Sequence, residues 1–147
     1  MVRAIALSVV LALGLAVVAS AVAPRPLQAQ ERLAPNPDIE AVIGGQFDAF
    51  RSDDLMGAWQ FASPGIQSMF GEPERFGMMV EQAFPMVWEP GAVTFIDLQS
   101  LGSLIVQRVE VIDRNGVAHY LGYAMIQTEN GWRISGVEIL DAPGIGV

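Results

Sequence analysis

Between residues 38 and 84 apolar side chains recur every three or four positions, and from Val93 onward they alternate with polar ones. The first spacing lines one face of a helix and the second one face of a strand. Asp38 can cap a helix whose buried stripe is Ile39, Val42, Ile43, Phe47 and Phe50. Asp53 or Asp54 can cap a shorter second helix carrying Leu55, Ala58, Trp59 and Ala62. Ser63-Pro64 opens a third, with the hydroxyl as N-cap and proline at the first helical position, and Gly71 stops it. A fourth opens at Pro73, buries Phe76, Met79, Val80, Ala83 and Phe84, and ends where Pro85 forbids further helix. Four strands are predicted after it, at residues 93–98, 104–113, 117–128 and 132–140. Asn115-Gly116 and Asn130-Gly131 suit two-residue hairpin turns, which would set the register of three strands. Helices first and a curved antiparallel sheet second predict an α+β fold, N-terminal helices packed on the sheet.

The chain ahead of this pattern reads as a targeting segment. Arg3 precedes an uncharged run from Ala4 to Ala23 and a Pro-broken stretch to Ala29, the marks of a secretory signal peptide over residues 1–29. Ala19 with Ala21, or Ala21 with Ala23, forms an A-x-A pattern, and a cut after Ala29 leaving Gln30 is preferred, because Pro24 hinders cleavage after Ala23. The protein is therefore expected to be exported, periplasmic or secreted. The alternative is an uncleaved anchor, since the run reaches the ~20 residues that span a bilayer; the membrane would then be a partner. Residues 30–37 read as a mobile lead-in, and 38–147 as one α+β domain.

Composition narrows the chemistry. Without the leader the chain keeps six Arg and no Lys against sixteen Asp and Glu, a formal charge of −10, which makes nucleic acid a poor partner. The absence of Cys excludes disulfides, lipid attachment at Cys and a thiol nucleophile, and the absence of Lys excludes Schiff-base chemistry. His119 is the single histidine and has no His-x-His or His-Glu-x-x-His companion, so no metal site and no cofactor are expected. Adjacent Asp53 and Asp54 diverge at a helix end and are read as caps.

Counting from two-residue turns places Arg108, Tyr123 and Glu138 in one row across three strands, with His119 nearby beside Ile112. Guanidinium, phenol and carboxylate side by side could bind a ligand or transfer a proton, or could form a solvent-facing ion pair. A one-residue slip would move every side chain of a strand to the opposite face. The same count puts Gln107 on the helix-facing side, as a tie to helix backbone or a group reaching into a pocket. It leaves Val106, Met125, Trp132, Ile134 and Leu140 on the outer face, a patch suited to a homodimer through the sheet.

At this length the order of elements over residues 38–141 resembles the NTF2-like or cystatin-like arrangement, in which helices close the concave side of the sheet. A narrower likeness rests on Gln46-Phe47-Asp48-Ala49-Phe50, Asp53-Asp54, Phe61-Ala62-Ser63-Pro64, Phe70-Gly71, Phe76 with Met79-Val80, and Gly131-Trp132-Arg133-Ile134-Ser135-Gly136. These segments resemble the small exported bacterial proteins grouped as domain of unknown function DUF4864, a resemblance that implies no activity. The expected function is a non-catalytic binding or assembly module, taking a small apolar ligand between helices and sheet or a second copy on the sheet. The rival is an acid/base enzyme of the kind known in NTF2-like cones, for which Asp97, Glu138, Tyr123, Tyr120 and His119 are the recruits.

Overall fold

A computed structural model of the protein describes residues 30–142. The signal peptide read at residues 1–29 lies outside the described residues. Helix α1 (Pro37–Arg51) starts two residues earlier than the Asp38 cap predicts. Asn36 caps it, its side-chain oxygen accepting from the N–H groups of Asp38 and Ile39, and Pro37 takes the first helical position. Asp54 caps α2 (Leu55–Gln60), and Ser63 caps α3 (Pro64–Phe70), which Gly71 ends at a positive φ of 79°. Helix α4 (Pro73–Ala83) ends before Pro85 as expected, but that proline also opens a four-residue helix, α5 (Pro85–Trp88). No helix among the described residues is long and apolar enough to cross a membrane.

The sheet has five antiparallel strands in chain order: β1 (Glu31–Leu33), β2 (Val93–Leu101), β3 (Leu104–Ile112), β4 (Ala118–Thr128) and β5 (Gly131–Leu140). Residues 31–33, read from sequence as part of a mobile lead-in, instead pair with the Leu98–Ser100 end of β2 as an edge strand. Their short, mostly polar sequence hid a strand held by backbone pairing, by an Arg32–Asp97 contact and by Leu33 against the core.

One face of α1 carries the core. Ile39, Ile43, Phe47 and Phe50 are buried against Val109 and Val111 of β3, Leu121, Tyr123 and Met125 of β4, and Ile134 of β5. Phe76 of α4 sits among Trp59, Phe70 and Phe50, with ring centroids 5.5, 6.1 and 6.2 Å away. A Cβ on Gly45 would lie 2.7 Å from the Phe61 ring, so glycine inside α1 permits close packing.

The first Asn-Gly hairpin is one residue longer than a two-residue turn; the second turns one residue early, at Glu129-Asn130 with Thr128 opposite Gly131, and a bulge at Ser135 shifts the pairing beyond it, and together these reset the register. In the first, Asp113 N–H donates to Val117 O, enclosing Arg114, Asn115 and Gly116, with Gly116 at φ 79°. In the second, Gly131 has φ 96° after Glu129 and Asn130. The residue two before each Asn, Asp113 or Thr128, accepts the Asn backbone N–H through its side-chain oxygen, which favours a type I turn followed by a left-handed glycine. Tyr123 therefore faces Gln107 and Val137, where the two-residue count set it beside Arg108 and Glu138. Strand β4 is turned over along its length and β5 only ahead of the Ser135 bulge, where Ile134 faces the core; beyond the bulge the shifts cancel and Glu138 keeps its row.

Candidate functional site

The register dissolves the predicted Arg108–Tyr123–Glu138 row and builds another. Arg108 and Glu138 do share a cross-strand row, but Gly122 lies between them and Asp97 completes it on β2. Tyr123 is on the helix-facing side, fully buried, its ring 5.9 Å from that of Phe47. Its hydroxyl has no hydrogen-bond partner, and burial raises its pKa, so it stays protonated. His119 is set beside Val111 and not Ile112, with Nε2 2.8 Å from the Asp113 carboxylate at the hairpin turn. The His119 hydrogen bond, aided by the Val117 and Asn115 N–H groups, holds Asp113 below the usual carboxylate range.

Gln107 is a structural tie, to strand backbone and not to a helix. Its amide donates at 3.0 Å to the carbonyls of Asp97 and Arg108, where a bulge between Phe95 and Asp97 interrupts the β2–β3 ladder. On the other face Arg108 donates through Nε and Nη2 to the two oxygens of Asp97, both at 2.6 Å, and Arg32 of β1 adds a contact at 3.1 Å. The Arg108 hydrogen bonds lower the Asp97 pKa and outweigh the opposing effect of burial. Arg108 closes one side of a hollow of about 530 Å³, floored by Val106, Gly122, Ala124 and Gly136 and bounded by Glu138 and Leu140.

The apolar patch expected on this face is smaller than the sequence count suggested. Met125 and Ile134 are 2% exposed and belong to the core, and Trp132 packs against that core. Val106 and Leu140 remain at the hollow, joined by Leu101 and Leu104.

A second space lies on the helix side and is apolar almost throughout. It is a partly open cavity of about 210 Å³ between α3, α4, α5 and β5. Helix α3 contributes Ile66, Met69 and Phe70; α4 contributes Phe76, Met79 and Val80; Phe84 and Val87 close the end. The β5 wall runs from Ile134 to Val137 and carries a bulge: Met125 pairs with Ile134 and Ala124 with Gly136, leaving Ser135 outside the ladder. Ile134 N–H donates to Phe61 O and Ser63 N–H to Ile134 O, so the entry to α3 is stitched to β5 and the cavity keeps its shape. Gln46 of α1 and Ser135 are its polar side chains. Gln46 Nε2 donates to Ala58 O at 3.1 Å, and Ser135 Oγ donates to Ala124 O at 3.0 Å.

Sequence reasoning placed Phe76, Met79 and Val80 on the buried face of α4 but did not bring α3, α5 and β5 around them. The signal for Gln46 was a polar residue between Ile43, Phe47 and Phe50 on an otherwise apolar stripe, and it is 5% exposed. No curated protein and no solved structure matches the chain. The family model described as Domain of unknown function (DUF4864) matches residues 32–147. The chain belongs to the DUF4864 family, which the Phe-Ala-Ser-Pro and Gly-Trp-Arg-Ile segments had indicated.

Proposed function

We propose that the protein is an exported, non-catalytic binding module that holds a small apolar molecule in the cavity between its helices and β5, after the manner of an NTF2-like cone. The carrying observation is the wall itself: three phenylalanines, two methionines and aliphatic side chains around about 210 Å³, with the backbone at its mouth stitched in place. An apolar space of this size, formed before any ligand arrives, favours binding because little has to be ordered on association. Acid/base catalysis finds less support. The His119–Asp113 pair lies at a hairpin turn, Asp97 is held by Arg108 on the outer face, and the Tyr123 hydroxyl is sealed in the core away from that wall.

Native mass spectrometry on protein recovered from the periplasm tests this reading. The expected spectrum shows a chain beginning at Gln30 with an added small mass that is lost when Val80→Phe fills the cavity. A bare chain that also fails to take up small apolar molecules would overturn it.

A second copy on the outer sheet face is the second reading, carried by the Arg108–Gly122–Glu138 row. Two copies packed there about a two-fold axis would set guanidinium against carboxylate twice across the shared hollow. The subunit count in the same spectrum tests it, and a monomer removes it.

A further inference from the structure

The cavity wall restricts what the occupant can be more narrowly than apolarity alone. None of its lining side chains carries a charge, so an ionised ligand would give up its hydration with no counter-charge to meet it. The acidic surface of the chain further disfavours an anion. The occupant is therefore neutral. Its size follows from the volume: an apolar cavity of about 150 Å³ accepts benzene, so about 210 Å³ suits one ring with one or two further heavy atoms.

Hydrogen-bonding capacity supplies the last restriction. A carboxamide offers two N–H groups and an oxygen with two lone pairs. Gln46 spends one N–H on Ala58 O, a contact that tethers the amide to α2 while the side chain stays at the cavity wall. Ser135 spends its hydroxyl hydrogen on Ala124 O and keeps only acceptor capacity. The wall thus presents the oxygens of Gln46 and Ser135 against one spare amide hydrogen; neither oxygen accepts a side-chain hydrogen bond from the described residues, and an occupant that covers them without donating leaves them unfavourably empty. A ligand that brings its own donor satisfies the site best.

We infer that the cavity selects a small neutral phenol or alcohol of single-ring size, with its ring among Phe70, Phe76 and Met79 and its O–H donated to Gln46 Oε1. This rests on the cavity being the binding site, as proposed above, and names the class of ligand it takes. Gln46 is then the residue that gives specificity and the aromatic wall the source of most affinity.

Three probes of nearly equal size separate the inference from the reading beneath it: toluene, 4-methylphenol and 4-methylbenzoate, each titrated into the folded protein at pH 7 and followed by calorimetry and amide chemical shifts. The expected order is 4-methylphenol about fivefold tighter than toluene, the value of one neutral hydrogen bond, with 4-methylbenzoate not bound. Gln46→Met should reverse the order, leaving 4-methylphenol weaker than toluene because its hydroxyl then has no partner, while toluene still binds. Equal affinity of toluene and 4-methylphenol for the unaltered protein would overturn the assignment of Gln46 and leave the cavity as an apolar site. Tighter binding of 4-methylbenzoate would overturn the neutral class. Failure of all three to shift residues of α3, α4 and β5 would overturn the cavity as a site altogether. The comparison within the unaltered protein stands even if Gln46→Met, which also cuts the tether to Ala58, does not fold.

Discussion

Replacing Tyr123 by Phe deletes one oxygen atom from the centre of the domain, and the structure sets the sign of the effect. The side chain is fully buried and its hydroxyl has no partner, while the ring packs on Phe47 and would keep that contact in the variant. A buried hydroxyl with no hydrogen bond costs about 1–3 kcal/mol relative to water. Against this stands the void left by the oxygen, which at ~24 cal/mol per Å³ over ~10 Å³ is about 0.3 kcal/mol. Tyr123→Phe should therefore stabilise the protein by about 1–2 kcal/mol. With an unfolding entropy of ~2.1 cal/mol/K per residue over roughly 110 described residues, the midpoint should rise by about 4–8 °C. Urea titration is the assay: the midpoint concentration should increase with an unchanged slope, since the surface exposed on unfolding barely differs. The phenol stays protonated because burial raises its pKa, so the gain should be the same from pH 6 to 9. A loss of about 1 kcal/mol or more would refute the reasoning, since an unpaired buried hydroxyl cannot contribute that much stability.

The outer-face ion pair responds to acid. Asp97→Asn leaves Arg108 with a neutral acceptor and should cost about 1–2 kcal/mol, the lower part of the range for charged hydrogen bonds, because the Arg108 side chain is 26% exposed. The Arg108 hydrogen bonds place the folded Asp97 pKa below its unfolded value, so this contribution is complete above about pH 4 and disappears as pH falls through the lower folded value. Acid titration of stability should show a fall in the native protein below about pH 4 that is smaller in Asp97→Asn. Gly45→Ala sets helix propensity against packing: alanine should gain up to about 1 kcal/mol as a helix former, yet its Cβ meets the Phe61 ring at 2.7 Å. Thermal melts should show a net loss of about 1 kcal/mol, as expected when overpacking outweighs propensity. At the first hairpin, Gly116→Ala meets no steric neighbour, so its cost of about 1 kcal/mol should arise from the φ of 79° alone; Gly116→Asn, which tolerates that conformation, should lose less than half as much.

Much of the local structure was legible because its causes are local. Ser63-Pro64 and Gly71 bound α3 as predicted, Asp54 caps α2, and Pro85 ends α4, since each acts through its own backbone or one turn of helix. Short segments escaped notice: β1 has no apolar pattern, and α5 is a single turn that Pro85 begins as well as ends a helix. Of the candidate residues, Arg108 and Glu138 were rightly placed on one row, whereas Tyr123 and His119 were assigned to the wrong face with the rest of β4. At the first hairpin the error came from treating Asn-Gly as a two-residue turn, a pair that serves equally in the longer turn with a left-handed glycine; at the second it came from a turn placed one residue late and from the Ser135 bulge. Asp113 and Thr128, which accept the Asn N–H in each case, were the sequence signal that each turn begins before its Asn.

By itself, then, the sequence determined the α+β order, the helix caps other than that of α1, the helix stops, the position of the hairpins and the family. Periodicity and capping depend on neighbours within a few residues, so one chain read in order contains them. Only the tertiary structure settled the face of β4, the bulges before Asp97 and at Ser135, and the cavity bounded by Gln46, Phe76 and β5. These depend on pairing and packing between segments tens of residues apart, where a single added residue in a turn inverts a strand and moves a tyrosine from a surface row into the core.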